Sequence, residues 1–213
     1  SETVTVDDVM GPSARDGGEL LSRLRGVTAG RMGGHGSDIS IRGMSEDRIA
    51  VISDGAYVFG ACPNRMDPAT SSMMPMSGDS ITVRRGYQSV LDGPPAPAGT
   101  VSFERADAAD FVEGVSGYLE AGVESNGTQR YTNVQARAVE HGSYIRGFMT
   151  GRRAGNYEDG SGREVRSAFK QYGGGGEVGL RYGADSLLSL SMERNVVEDA
   201  FFAGPGMAAP WTA

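Results

Sequence analysis

The sequence is poor in cysteine, in basic residues and in long apolar runs, and each shortage removes a class of function. A single cysteine, Cys62, excludes an internal disulfide and leaves packing, metal ligation, redox chemistry or an intermolecular bond for its sulfur. Lys and Arg number 20 against 27 Asp and Glu, for a net charge of −7. No basic run is present to track a phosphate backbone, so nucleic acid is excluded as a partner. No stretch approaches the roughly 20 apolar residues of a membrane-spanning helix. A hydrophobic content of 38% still leaves a membrane barrel open, because strands carry their apolar surface in alternate positions. The opening residues Ser1-Glu2-Thr3-Val4 lack the charged and apolar regions of a signal peptide, as in a mature, trimmed or cytosolic chain. Catalytic constellations are missing too: there is no Ser/His/Asp set and no pair of working carboxylates. The run Gly173 to Gly176 lacks the Lys-Ser/Thr of a phosphate loop. The chain reads as a non-enzyme.

Glycine is what the chain has in excess, 33 of 213 residues, which suits many turns and close backbone approaches in a β-rich fold. That length allows one or two domains. Residues 1–16 hold a short alternation at Val4 and Val6 and then turn residues, the pattern of an extended, mobile arm. Asp16 to Arg25 places Leu20, Leu21 and Leu24 at helical spacing, with an acid at its start and arginines at its end, which predicts a short amphipathic helix. Short strands are expected at 39–42, 48–53, 57–59, 81–85 and 100–105, with a helical turn at 87–91. The first half is thus a small mixed α/β unit, and the pattern changes near residue 106.

Beyond that point five longer alternations follow, at 117–124, 131–139, 144–150, 177–182 and 187–193. Leu119 and Val123 share one face against Tyr118, Glu120 and Glu124, and Leu188, Leu190 and Met192 oppose Ser189, Ser191 and Glu193. An antiparallel sheet packed on one side and the wall of a membrane barrel both fit this period. The connections favour the barrel, since short links at 141–143 and 183–186 alternate with a long polar loop at 156–171.

Four segments occur in an order that carries a resemblance. They are Ser40-Ile41-Arg42-Gly43-Met44; Asp47 to Gly55, ending in Asp54-Gly55; Ile81-Thr82-Val83-Arg84-Arg85-Gly86 before Ser89-Val90-Leu91-Asp92-Gly93; and Ala98-Gly99-Thr100-Val101-Ser102-Phe103. Together they resemble the plug of TonB-dependent outer-membrane receptors. The resemblance implies a mainly β fold: an N-terminal arm at 1–16, a mixed α/β plug at 17–105, and the start of a transmembrane antiparallel β-barrel at 106–213. The family closes a barrel of roughly twenty-two strands, whereas about five are expected here, so the sequence reads as a fragment or a truncated gene product. The resemblance further implies an outer-membrane location, contact with outer-membrane lipid, and coupling to TonB through Glu2, Thr3, Val4, Thr5 and Val6 as a TonB box. Arg42, Arg84 and Arg85 are expected to pair with acids of the barrel wall.

The loop Gly60-Ala61-Cys62-Pro63-Asn64-Arg65-Met66-Asp67-Pro68 is similar to the plug loop of the copper-receptor branch of that family, which implies that Cys62 and Met66 contact copper. The ligand chemistry agrees, because thiolate and thioether sulfurs are soft donors that favour Cu(I) over hard ions. A buried cysteine beside a gap-filling methionine is the plainer alternative. The branch also takes a His-x-Met pair from a barrel loop, and none occurs here: His35 precedes Gly36-Ser37 and His141 precedes Gly142-Ser143. Met73, Met74, Met76 and Met207 are further thioethers, with exposed or packing roles expected of the first three. His35 falls in a glycine-rich turn, and His141 at a short, solvated one. A soluble or periplasmic copper-binding plug-like module, or a piece of a siderophore or cobalamin receptor, are the competing functions.

Overall fold

The computed structural model describes residues 1–9, 14–31, 33–60, 62, 66–86, 89, 96–107, 111–182 and 186–202. The chain forms two compact units, Ser1–Ala106 joined by Phe202, and Asp107–Phe201.

The first unit begins with β1 (Glu2–Thr5), α1 (Val6–Val9) and α2 (Gly17–Leu21), followed by β2 (Val27–Arg31), β3 (Ser37–Ile41), β4 (Met44–Ser45), β5 (Ile49–Ser53), β6 (Ala56–Val58), β7 (Ser80–Arg85) and β8 (Gly99–Glu104). Five strands form a mixed sheet in the order β1-β7-β8-β5-β6, in which only β5 and β8 run parallel, and β2, β3 and β4 form a second, antiparallel sheet. The core between these elements is aliphatic, with Val6, Leu20, Leu21, Ile41, Ile81 and Val101 each fully buried. Each such side chain contributes roughly 1.5–3 kcal/mol over its exposed state.

Two sequence expectations change here. The helix at 16–25 is only one turn of α-helix, Gly17–Leu21. Asp16 starts it by accepting the Glu19 N–H at 2.8 Å. It tightens as the Leu24 N–H donates to Leu21 O, and Gly26 at φ +71° turns the chain into β2. The arm at 1–16 is not free over its first residues. Glu2–Thr5 pairs antiparallel with β7, from Glu2 opposite Val83 to Thr5 opposite Ser80. Val6 is wholly buried, and Asp7 accepts from the Gly78 N–H at 2.9 Å. The alternation of Val4 and Val6 that suggested an extended arm is what places them on the core side of a sheet edge. The helical turn expected at 87–91 lies outside the described residues, Ser89 apart.

A buried carboxylate closes the β7–β8 end of the sheet. Asp79 accepts from Met76 N–H at 2.9 Å, Ala106 N–H at 3.1 Å and Arg105 Nη1 at 2.8 Å. Burial pushes its carboxyl above the usual range and outweighs the opposing pull of Arg105.

The second unit is an antiparallel sheet in strict sequence order: β9 (Gly114–Glu124), β10 (Gln129–Glu140), β11 (Ser143–Ala154), β14 (Phe169–Tyr182) and β15 (Ser186–Glu198). A two-stranded ribbon, β12 (Tyr157–Glu158) with β13 (Glu164–Val165), fills the long connection before β14. The strands are longer than the alternations predicted. β14 in particular runs straight through Gly173 to Gly176, where no side-chain pattern could announce a strand. His141 and Gly142, both at positive φ (49° and 79°), make the tight β10–β11 turn. Among the described residues the sheet does not close, and β9 and β15 are its edges.

Its faces are inverted relative to a water-soluble sheet. Leu119, Leu188, Leu190 and Met192 are 71–79% exposed, while Arg146, Arg152 and Gln171 on the opposite face are 4–8% exposed. An apolar face turned outward and a polar face turned inward is the pattern of a membrane-barrel wall.

Candidate metal centre

The loop that carries Cys62 leaves β6 through Phe59 and Gly60 and returns at Met66, Asp67 and Pro68, where a 3₁₀ turn, Ala69–Ser72, begins. Ala61 and Pro63, Asn64 and Arg65 lie outside the described residues. Cys62 and Met66 are both half-buried, neither sealed in the core nor fully in solvent.

Three contacts fix the base of this loop. Gly60 and Asp67 cross so closely that a Cβ on Gly60 would sit 2.2 Å from the Asp67 carbonyl oxygen, a separation no side chain tolerates. The Cys62 N–H donates to Asp67 Oδ1 at 2.8 Å. Gly36, at φ +84°, lies behind the returning arm, where a Cβ would meet Pro68 Cδ at 3.2 Å and the Met66 carbonyl oxygen at 3.3 Å. Pro68 is itself buried, and its carbonyl accepts the Ser71 N–H at 2.8 Å. Thr70 Oγ1 donates to Ser37 O at 2.8 Å, which ties the 3₁₀ turn to β3. The loop is therefore a closed bend with a rigid returning arm. Beside its stem runs a cleft lined by Asp38, Glu46, Asp47, Tyr57, Gly60 and Pro68.

Among the described residues no group of three or more His, Cys, Asp or Glu side chains is arranged to hold a metal ion. Thiol and thioether at Cys62 and Met66 are the soft donors of this loop, a set that suits a soft monovalent ion. The other sulfur and histidine candidates are distributed elsewhere. Met73, Met74 and Met76 are buried at 2–8% exposure, so they pack rather than face solvent. His35 is buried at 3% exposure next to Gly36, not carried on an open turn. His141 is exposed in its turn, as expected. Met207 lies outside the described residues.

Of the residues expected to engage a coupling protein, Glu2 bonds Arg85 Nη2 at 2.7 Å and Thr3 Oγ1 meets Thr82 Oγ1 at 3.0 Å, while Val6 donates its N–H to Asp79 O at 2.8 Å. Arg85 therefore pairs within its own unit, with Glu2 and with the Arg25 carbonyl. Arg42, at φ +53°, sits in the β3–β4 turn. Sequence reasoning overlooked Asp67, Gly60 and Gly36. The signal available for the first two was that they flank Cys62 and Met66 in the sequence.

Residues 1–100 match the family model described as the TonB-dependent Receptor Plug Domain. Among solved structures, the copper transporter OprC is similar at 31% identity and a TM-score of 0.86, over 96% of this chain and 32% of that one. The FrpB iron transporter from Neisseria meningitidis is similar at 19% identity and a TM-score of 0.75, over 92% of this chain and 31% of that one. The siderophore receptor PirA from Acinetobacter baumannii follows at 16% identity and 0.68, over 97% and 32%. At those lower identities the likeness is one of fold. The chain spans about a third of the length of each of these structures. No curated protein matches it. Residues 1–100 therefore belong to the TonB-dependent receptor plug family, and an open antiparallel sheet with its apolar face outward follows them in the chain.

Proposed function

We propose that the chain is the plug, residues 17–105, and the first barrel strands, within 106–213, of an outer-membrane receptor that takes up copper, with Cys62 and Met66 binding the ion as Cu(I). The ion is cargo, captured by two soft sulfurs on a closed bend and released when the plug is remodelled. The energy for release comes from TonB, which engages Glu2–Val6 by adding a strand to that segment. Release needs such work because a site that holds a soft ion tightly lets it go slowly. Outer-membrane lipid covers the exposed apolar face of the β9–β15 sheet.

The observation that carries this reading is the loop itself: a cysteine and a methionine four residues apart, half-buried, on a bend whose base is pinned. The 31% identity to a copper transporter supports the same cargo. The iron transporters share the fold at much lower identity, and hard ferric siderophores give no reason for a thiol–thioether pair. A soluble module is disfavoured by the outward apolar face, which water would penalise.

The test is a Cu(I) titration of the 213-residue chain in detergent against a competing chelator. Cys62→Ser is expected to weaken binding at least about ten-fold, since one of two soft donors becomes a hard hydroxyl. Equal affinity in the variant removes the site.

A further inference from the structure

The bend that presents the two sulfurs has a rigid side and a tethered side, and a single carboxylate joins them. On the returning side, Asp67 is held by the Gly60 crossing in front, Gly36 packed behind Met66 and Pro68, and the buried proline leading into the 3₁₀ turn. On the outgoing side, Cys62 is tied to that arm by its N–H donating to Asp67 Oδ1 at 2.8 Å. We propose that Asp67 is a positioning residue of the copper site: its carboxylate clasps the loop so that the Cys62 thiol and the Met66 thioether face one ion before the ion arrives. This rests on the reading of Cys62 and Met66 as the copper pair.

The physical argument is one of populations. A bidentate loop binds with its full affinity only while both donors are in register. When the competent arrangement is populated a fraction of the time, the apparent affinity drops by that fraction. A bond from a backbone N–H to an ionised carboxylate is among the stronger hydrogen bonds available to a half-exposed loop. It closes a ring of six residues, Cys62 to Asp67, whose two ends are then fixed together. Asp67 also adjoins Met66 in the chain, so the clasp sets the thioether's backbone and the thiol's backbone in a single contact. Holding both donors in advance lowers the ordering cost of capture. The carboxylate does not touch the ion in this account; it acts through the loop.

Asp67→Ala removes the acceptor, and Asp67→Asn keeps an oxygen able to receive the Cys62 N–H. In the 213-residue chain titrated with Cu(I), Asp67→Ala is expected to bind about ten-fold more weakly, with its urea midpoint close to wild type, while Asp67→Asn stays within about three-fold. Copper-edge X-ray absorption is expected to show two sulfur scatterers in wild type and Asp67→Asn, and fewer in Asp67→Ala. Hydrogen exchange in the metal-free wild-type chain gives a reading that no variant's folding can obscure: the Cys62 amide is protected if the clasp exists. An unprotected Cys62 amide, or wild-type affinity in Asp67→Ala while Cys62→Ser is impaired, overturns the positioning role alone. Wild-type affinity in Cys62→Ser overturns the copper reading and this proposal with it.

Discussion

Asp16 shows how one buried side chain can set a local pH dependence. It lies fully buried at the head of α2, with Oδ1 receiving the Glu19 N–H at 2.8 Å and Oδ2 receiving the Ser37 hydroxyl at 3.1 Å. Burial raises its carboxyl above the usual range, and the hydrogen bonds from Glu19 and Ser37 and the charge of Arg31 only partly offset this. A carboxyl that holds its proton more tightly in the folded state than in the unfolded chain makes its full contribution to stability below the unfolded value. That contribution is lost as pH rises through the folded one. Asp16→Asn keeps both bonds once the Ser37 hydroxyl turns to accept, and it removes the ionisation. Its urea midpoint is therefore expected to gain on wild type between pH 4.5 and pH 7.5, and a flat or falling difference would contradict the assignment. Asp16 and Asp67 share a lesson about legibility. As letters, Asp16 marks a helix start and Asp67 merely follows a methionine; the roles of both depend on which amide or hydroxyl the fold brings within hydrogen-bond reach, which spacing alone does not encode. Cys62 and Met66 stand out as candidates in the sequence through the resemblance of their loop and the softness of their two sulfurs.

At the scale of strands, β14 sets two of its glycines, Gly175 and Gly179, against neighbours' rings. Gly175 lies directly across from Phe148 on β11, Gly179 across from Tyr144, and on β9 Gly122 faces Tyr131 of β10. A Cβ at these glycines would lie 2.8 Å from Phe148 Cζ, 2.1 Å from Tyr144 Cε1 and 2.3 Å from Tyr131 Cε1, so each ring lies flat over bare backbone. All three aromatics are buried, at 7–8% exposure, on the polar face of the sheet. Such rings shield glycine in a strand and help fix the register. Gly179→Ala is expected to displace the Tyr144 ring and destabilise the sheet by about 1–3 kcal/mol, as overpacking does. Gly151, with nothing within 4 Å of a Cβ, is the control, and denaturant midpoints of the two alanine variants in detergent compare them. Equal midpoints would mean that the rings carry no packing energy. The strands themselves were read from alternation wherever side chains alternate, as at Leu188, Leu190 and Met192. β14 was read short because four glycines in a row present no alternation. β1 was missed as a sheet member because its partner lies some eighty residues away, a pairing fixed by tertiary contact.

Across the whole molecule, one sheet buries Arg146 and Arg152 and exposes its leucines. Water around Leu119, Leu188, Leu190 and Met192 is unfavourable at roughly 25 cal/mol per Å² of apolar surface, and the edges β9 and β15 add unpaired backbone groups. Without detergent the chain is expected to self-associate, and in micelles to sediment as one copy; a folded monomer in plain buffer would return the soluble module to consideration. The alternation alone left the two sheet types undecided, since it fixes that faces differ but not which one meets water. At the opposite end of the chain, β1 lies on a sheet rim, fastened to β7 alone. Load applied across that rim from the Glu2 side meets its fastenings singly: the Arg85 ion pair, the threonine rung, the seated valine, then the hook of Asp7 on Gly78. Mechanically this is a zip and not a bolt, yielding at low, steady force and leaving the parallel β5–β8 pair untouched until the last tooth has opened.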